Sequence, residues 1–176
     1  MCPTHNMDET NKQHGKRGKN SEKHASQRVA NAAGTLDTKE LGDLGELAFV
    51  LAASSKGLAV SKPYGDCRRY GLIVDSGRRL LRVQVKSAYT AASGRYYAIR
   101  CSHSFQGARI CYTATEIDFL AAYIAPRDIW YLIPVGAVVA RVSVHLHPDG
   151  PRRHNKEDAI YEIYREAWEQ LEERTT

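Results

Sequence analysis

Tyr70-Gly71-Leu72-Ile73-Val74-Asp75, the turn Ser76-Gly77-Arg78-Arg79, and Leu80-Leu81-Arg82-Val83-Gln84-Val85-Lys86 are the most informative part of the chain. Both flanking runs are rich in Leu, Ile and Val, and the Ser-Gly turn between them predicts a β-hairpin. Side chains alternate between the two faces of a strand. Leu81, Val83 and Val85 therefore share one face of the second strand, and Arg82, Gln84 and Lys86 the other. A carboxamide and an ammonium thus stand side by side at the end of an otherwise apolar strand. Either that edge faces water, or the pair belongs to a site.

Upstream of the hairpin, the spacing predicts a helix that starts near Asp37 or Thr38. Asp37 can cap it, with Glu40 three residues on as the capping-box partner, and Gly57 ends it. Leu41, Leu44, Leu47, Ala48, Leu51 and Ala52 form one apolar stripe, while Gly42, Phe49, Val50 and Ala53 lie on the other side. A helix apolar nearly all round predicts burial on both sides. Glu46 lies among those apolar residues. A carboxylate there is costly unless it is paired or binds a cation, and otherwise it must reach solvent at the helix edge. Leu58 to Ser61 reads as a short strand leading into Pro63-Tyr64-Gly65-Asp66.

Downstream, Tyr96 to Arg100 alternates as a strand, and Ser102 to Ala108 reads as a polar loop suited to reach a ligand. Thr113 to Ile117 predicts a helical turn. Phe119 to Ile124 and Ile129 to Ile133 predict a second hairpin around Ala125-Pro126-Arg127-Asp128. Val135 to Ala140 reads as a short helix or turn, and Arg141 to Leu146 as an edge strand. A last helix is expected from about Lys156 to Glu173, packing through Ile160, Ile163, Tyr164, Ala167, Trp168 and Leu171.

The 176 residues suit one domain, and a 43% hydrophobic content is enough for a packed core. Residues 1–35 have almost no large apolar side chain and carry Lys12, Lys16, Arg17, Lys19, Lys23 and Arg28. They are expected to form a disordered basic tail, either solvated or holding phosphate non-specifically, ahead of a domain over 36–176. No apolar run is long enough to span a membrane, and the start lacks the apolar region of an export signal. Cys2, Cys67, Cys101 and Cys111 show no C-x-x-C spacing, which argues against zinc and for reduced thiols in the cytoplasm. The net charge of +5 is compatible with a nucleic-acid partner without requiring one. Basic residues cluster around the hairpin, and Arg68, Arg69, Arg78, Arg79 and Arg82 are the candidate DNA contacts. They are equally suited to solubilise hairpin tips.

Taken in order, the chain resembles the PD-(D/E)xK nuclease superfamily, and within it the group I intron-associated homing-endonuclease branch. The likeness rests on Gly42-Asp43-x-Gly45-Glu46, Pro63-x-Gly65-Asp66, Arg69-Tyr70 and Arg82-Val83-Gln84-Val85-Lys86, then Ile117-Asp118-Phe119, Trp130-Tyr131-Leu132-Ile133-Pro134 and Tyr164-x-Glu166-Ala167-Trp168. It covers about Thr38 to Leu171.

The resemblance implies an α/β fold with a restriction-endonuclease-like core, a central mixed β-sheet flanked by helices. It also implies Glu46, Gln84 and Lys86 as catalytic residues, with Glu46 and Gln84 holding Mg²⁺ or Mn²⁺. Double-stranded DNA would be the substrate, and a homodimer or tetramer the form that cuts both strands. The glutamine replaces the usual acid of the residue-x-Lys pair, as in the intron-associated branch. One position departs from the pattern. The aspartate expected after Tyr70 is Gly71, which leaves Glu46 as the one matched anionic ligand. Asp75 is four residues farther along and Asp66 precedes the strand, and both read more simply as turn residues. Three functions stay open: a divalent-metal DNA endonuclease impaired at Gly71, a non-catalytic DNA-binding protein on the same fold, and a soluble scaffold or immunity-type partner.

Overall fold

Asp37 caps the first helix as its spacing predicts. Its Oδ1 accepts from the Lys39 and Glu40 amides at 2.7 and 2.9 Å, and Glu40 Oε2 accepts from the Asp37 amide at 2.8 Å, which completes the capping box. The helix, α1, runs Thr38–Ser55, and the chain then reverses through Gly57 at φ 82°. These coordinates come from a computed structural model, which describes residues 34–65, 68–92, 96–150 and 160–172. The expected basic tail lies almost wholly outside them, as do Asp66 and the start of the expected last helix.

The strands are β1 (Ala59–Ser61), β2 (Leu72–Asp75), β3 (Leu80–Ala88), β4 (Tyr97–Arg100), β5 (Ser102–Phe105), β6 (Ala108–Cys111), β7 (Phe119–Ile124), β8 (Ile129–Pro134) and β9 (Ser143–Leu146). Five form the central mixed sheet, in the order β1-β2-β3-β7-β8. The β2–β3 hairpin is antiparallel with Leu72 opposite Val83, β3 and β7 are parallel, and β7–β8 is the second hairpin.

Apolar residues cover both faces of this sheet. On one, Phe49 and Ala53 of α1 bury Leu72, Val74, Leu81, Val83 and Leu132. Phe49 also packs edge-on to Trp130 at 5.5 Å and against Trp168 at 5.6 Å, contacts of about 1 kcal/mol each beyond their area. On the other face, Leu120, Ile124, Tyr131 and Ile133 pack with Ile99, Val144 and Leu146 of the β4–β9 pair.

Three expectations are corrected. Helix α1 is not buried on both sides: Gly45, Phe49 and Ala53 face the sheet, while Leu44, Leu47 and Leu51 are 43%, 64% and 74% exposed. Gly45 lets the helix press this side closely onto β3, where a Cβ would fall 2.9 Å from Ser87 Oγ and 3.2 Å from its Cβ.

Ser102 to Ala108 is not a loop but most of a β-ribbon, described below. Over residues 160–172 the expected last helix is instead a pair of short 3₁₀ turns, Glu162–Tyr164 and Trp168–Gln170. Glu166 breaks it. Its backbone is left-handed at φ 51°, its amide donates to the Trp130 carbonyl at 2.8 Å, and its Oε1 accepts from the Trp130 amide at 2.6 Å. The segment thus satisfies the outer edge of β8, and Ala167, Trp168 and Leu171 are buried without a helix.

Candidate active site

Strand β2 begins at Leu72, opposite Val83, so among the described residues the edge of β3 beyond Val83 is open apart from one bond, Gly71 amide to Val83 carbonyl at 3.1 Å. Helix α1 crosses this open edge. Tyr89 Oη donates to the Leu41 carbonyl at 2.9 Å, and Gly45 sits against Ser87. These contacts bring the first half of the helix over the end of β3. A cleft of about 550 Å³ lies between them, lined by Lys39, Glu46, Gln84, Lys86, Tyr89 and Arg100 among others.

Glu46, Gln84 and Lys86 thus share one cleft. Burial lowers the pKa of Lys86, and the Arg100 charge lowers it further, against a smaller opposing pull from Glu46. Gln84 donates from Nε2 to the Val85 carbonyl at 3.2 Å, which turns its amide toward the backbone of its own strand. Glu46 is paired: Lys62 Nζ approaches its Oε2 at 2.8 Å. The carboxylate also leans over Gly71. A Cβ built there would lie 3.2 Å from Glu46 Cδ and closer still to Oε1.

This donor set does not fit a hard divalent cation, which needs several oxygen ligands and negative charge to offset its own. The cleft offers Glu46, already facing an ammonium, the solvent-exposed Asp43 one helical turn before it, and a neutral amide. Among the described residues, no three His, Cys, Asp or Glu side chains gather as a metal group. Asp75 does not supply the missing acid. It pairs with Leu80 at the far end of the hairpin, and its Oδ1 accepts from the Gly77 amide at 2.8 Å as a turn residue does.

The candidate DNA contacts are dispersed. Arg78 and Arg79 sit at the hairpin tip, before β3 begins at Leu80, which is itself six residues or roughly 20 Å along the strand from Lys86. Arg82 donates to both carboxylate oxygens of Asp118 at 3.0 Å and to the carbonyls of Ala114 and Thr115, so its guanidinium ties β3 to the turn before β7. Arg68 is exposed. Arg69 lies 3.9 Å from Glu116 and 5.5 Å over the Phe105 ring. Lys39 and Arg100 line the cleft without having been candidates on the sequence, and Lys62, one of the basic residues around the hairpin, pairs with Glu46 instead of standing free for phosphate. For Arg100 the signal was present, because Tyr97 and Ile99 alternate inward and so turn Arg100 outward.

The structure of a bacterial homing endonuclease, I-Ssp6803I, superposes with a TM-score of 0.66 and 28% sequence identity, over 77% of this chain and 93% of that one. No curated protein sequence matches. The PD-(D/E)XK endonuclease family model matches residues 36–171, which span the cleft and both hairpins, and the chain belongs to that family.

Proposed function

We propose that this protein binds double-stranded DNA as an endonuclease of its family, with Glu46, Gln84 and Lys86 at the reaction centre and cutting impaired at Gly71. The carrying observation is that these three side chains share one cleft while Glu46 leans into the space above Gly71. Phosphodiester hydrolysis needs a cationic group near the phosphate as charge develops on it, and Lys86 is suited to that role. Its lowered pKa also suits it to take a proton from an attacking water. Family members generally use divalent metals. Mg²⁺ or Mn²⁺ is proposed here for the Gly71→Asp form, in which a second carboxylate would stand beside Glu46. A homodimer or tetramer is proposed because cutting both strands of a symmetric site calls for paired centres.

The test is incubation of supercoiled plasmid with Mn²⁺ and either the wild type or Gly71→Asp. Faster nicking by the variant is expected. Equal, absent cutting by both, with no Mn²⁺ bound by the variant, would overturn the assignment of this centre. A second reading, DNA binding without catalysis, is favoured by the Lys62 ammonium on Glu46. It predicts metal-independent DNA affinity that falls steeply with salt.

A further inference from the structure

Past Arg100 the chain rises into a two-stranded ribbon that, among the described residues, pairs with no other sheet. Strands β5 and β6 run antiparallel, Ser102 opposite Cys111 and Phe105 opposite Ala108. Gln106 and Gly107 turn the ribbon at φ 49° and 80°, as a two-residue hairpin turn requires. Its root is anchored. Cys101, Ser102 and Tyr112 are buried, Ser102 Oγ donates to the Val142 carbonyl at 3.3 Å, and His103 Nε2 meets Glu116 Oε1 at 3.2 Å. One face is held by Arg69, whose guanidinium lies over Phe105. The opposite face carries Ser104 directly across from Arg109. Ser104, Arg109 and Gln106 at the tip are exposed, and their side chains form no hydrogen bond or ion pair among the described residues.

We infer that this ribbon enters the major groove of double-stranded DNA, where Arg109, with Ser104 and Gln106, reads base edges. The inference rests on the DNA reading proposed above. The major groove of B-DNA admits a two-stranded β-ribbon, and the three side chains have matching chemistry: arginine for guanine O6 and N7, glutamine for adenine N6 and N7, serine for either.

Charge agrees. Arg69, Arg100 and Arg109 lie on or beside the ribbon, and among the described residues Glu116 is engaged by Thr113 and His103 and Asp118 by Arg82. Position agrees as well. Arg100 lines the cleft that holds Glu46 and Lys86, and β5 starts two residues later. Arms of four residues extend roughly 14 Å, so the bases read would lie within about four base pairs of a phosphate held in the cleft.

The test uses the full chain and a pool of randomised duplexes, selected for binding without metal and then sequenced. The wild type is expected to enrich a sequence with a fixed guanine. Arg109→Ala should lose that preference by about tenfold, with affinity for random duplex reduced less than about threefold, as for one lost phosphate-like charge. Gln106→Ala should relax a different position, and both variants should keep the wild-type melting temperature. If both enrich the wild-type sequence, or if the wild type binds duplex with no sequence preference, the ribbon does not read bases. Failure of the wild type to bind any duplex would overturn the DNA reading itself, and this inference with it.

Discussion

The carboxylate of Glu46 leans into the space that a side chain at Gly71 would fill, with its Cδ 3.2 Å from where a Cβ would stand. The helix and the hairpin therefore meet at a position where the hairpin contributes no side chain. Lys62 supplies the opposing charge at 2.8 Å. An ammonium thus faces the Glu46 carboxylate across the space above Gly71.

Gly71→Asp should lower the melting temperature in metal-free buffer, because two carboxylates would crowd each other and Glu46 would have to swing aside. Mn²⁺ should reverse that loss. Bound ligand stabilises by mass action, about 2.7 kcal/mol at a hundredfold excess over its Kd. Thermal melts with and without Mn²⁺ measure this, and no Mn²⁺-dependent gain would mean that position 71 does not face the cation.

Lys62→Ala in the Gly71→Asp background should tighten Mn²⁺ binding a further few-fold by titration calorimetry. The lysine side chain is largely exposed, and such ion pairs are worth at most about 1 kcal/mol. Lys39→Ala is the control, since it removes a charge that lines the cleft without touching this pair. Weaker Mn²⁺ binding after loss of Lys62 would show that the lysine supports the site instead of competing for Glu46.

Lys86 makes a pH prediction. Its pKa in the folded chain lies below the ordinary lysine value, chiefly through burial. Folding then favours the neutral amine, so the charged form is a cost at neutral pH that fades as pH rises through the folded pKa toward 10.5. Lys86→Met should therefore melt higher than wild type at pH 7, with the gap closing above pH 10. The same variant should abolish cutting by the Gly71→Asp form. A gap that stays constant with pH would mean that Lys86 is not desolvated.

Asp118 and Arg82 should behave as a structural lock. Burial opposes ionisation of Asp118, but the hydrogen bonds and charge of Arg82 outweigh it and hold the carboxyl below its ordinary value of 3.8. The lock is present above that value and is lost as pH falls through the lower folded pKa. Asp118→Asn should cost about 1.5–3 kcal/mol at pH 7, as for hydrogen bonds to a charged group. The difference from wild type in urea melts should shrink as pH falls below 3.8 and through the lower pKa of the native carboxylate. An equal difference at pH 7 and in acid would separate the stability effect from this ionisation.

Much of this structure could be read from local pattern. The capping box at Asp37, the β2–β3 and β7–β8 hairpins, and the alternation that turns Gln84 and Lys86 to one face depend on residues a few positions apart, so spacing alone carries them. Tertiary structure decided the rest. Which side of α1 is buried depended on Gly45 fitting against Ser87, 42 residues away in sequence. Helical spacing through Ile160 and Ile163 was overruled because the open edge of β8 needed hydrogen-bond partners, which Glu166 supplies only in a left-handed turn. Arg82 read as a phosphate contact until the fold set Asp118 beside it, and Lys62 joined the site only when β1 ended next to Glu46. Periodicity reports which face a side chain takes. It carries no information about which distant group will stand opposite, and that pairing set the charge balance of this cleft.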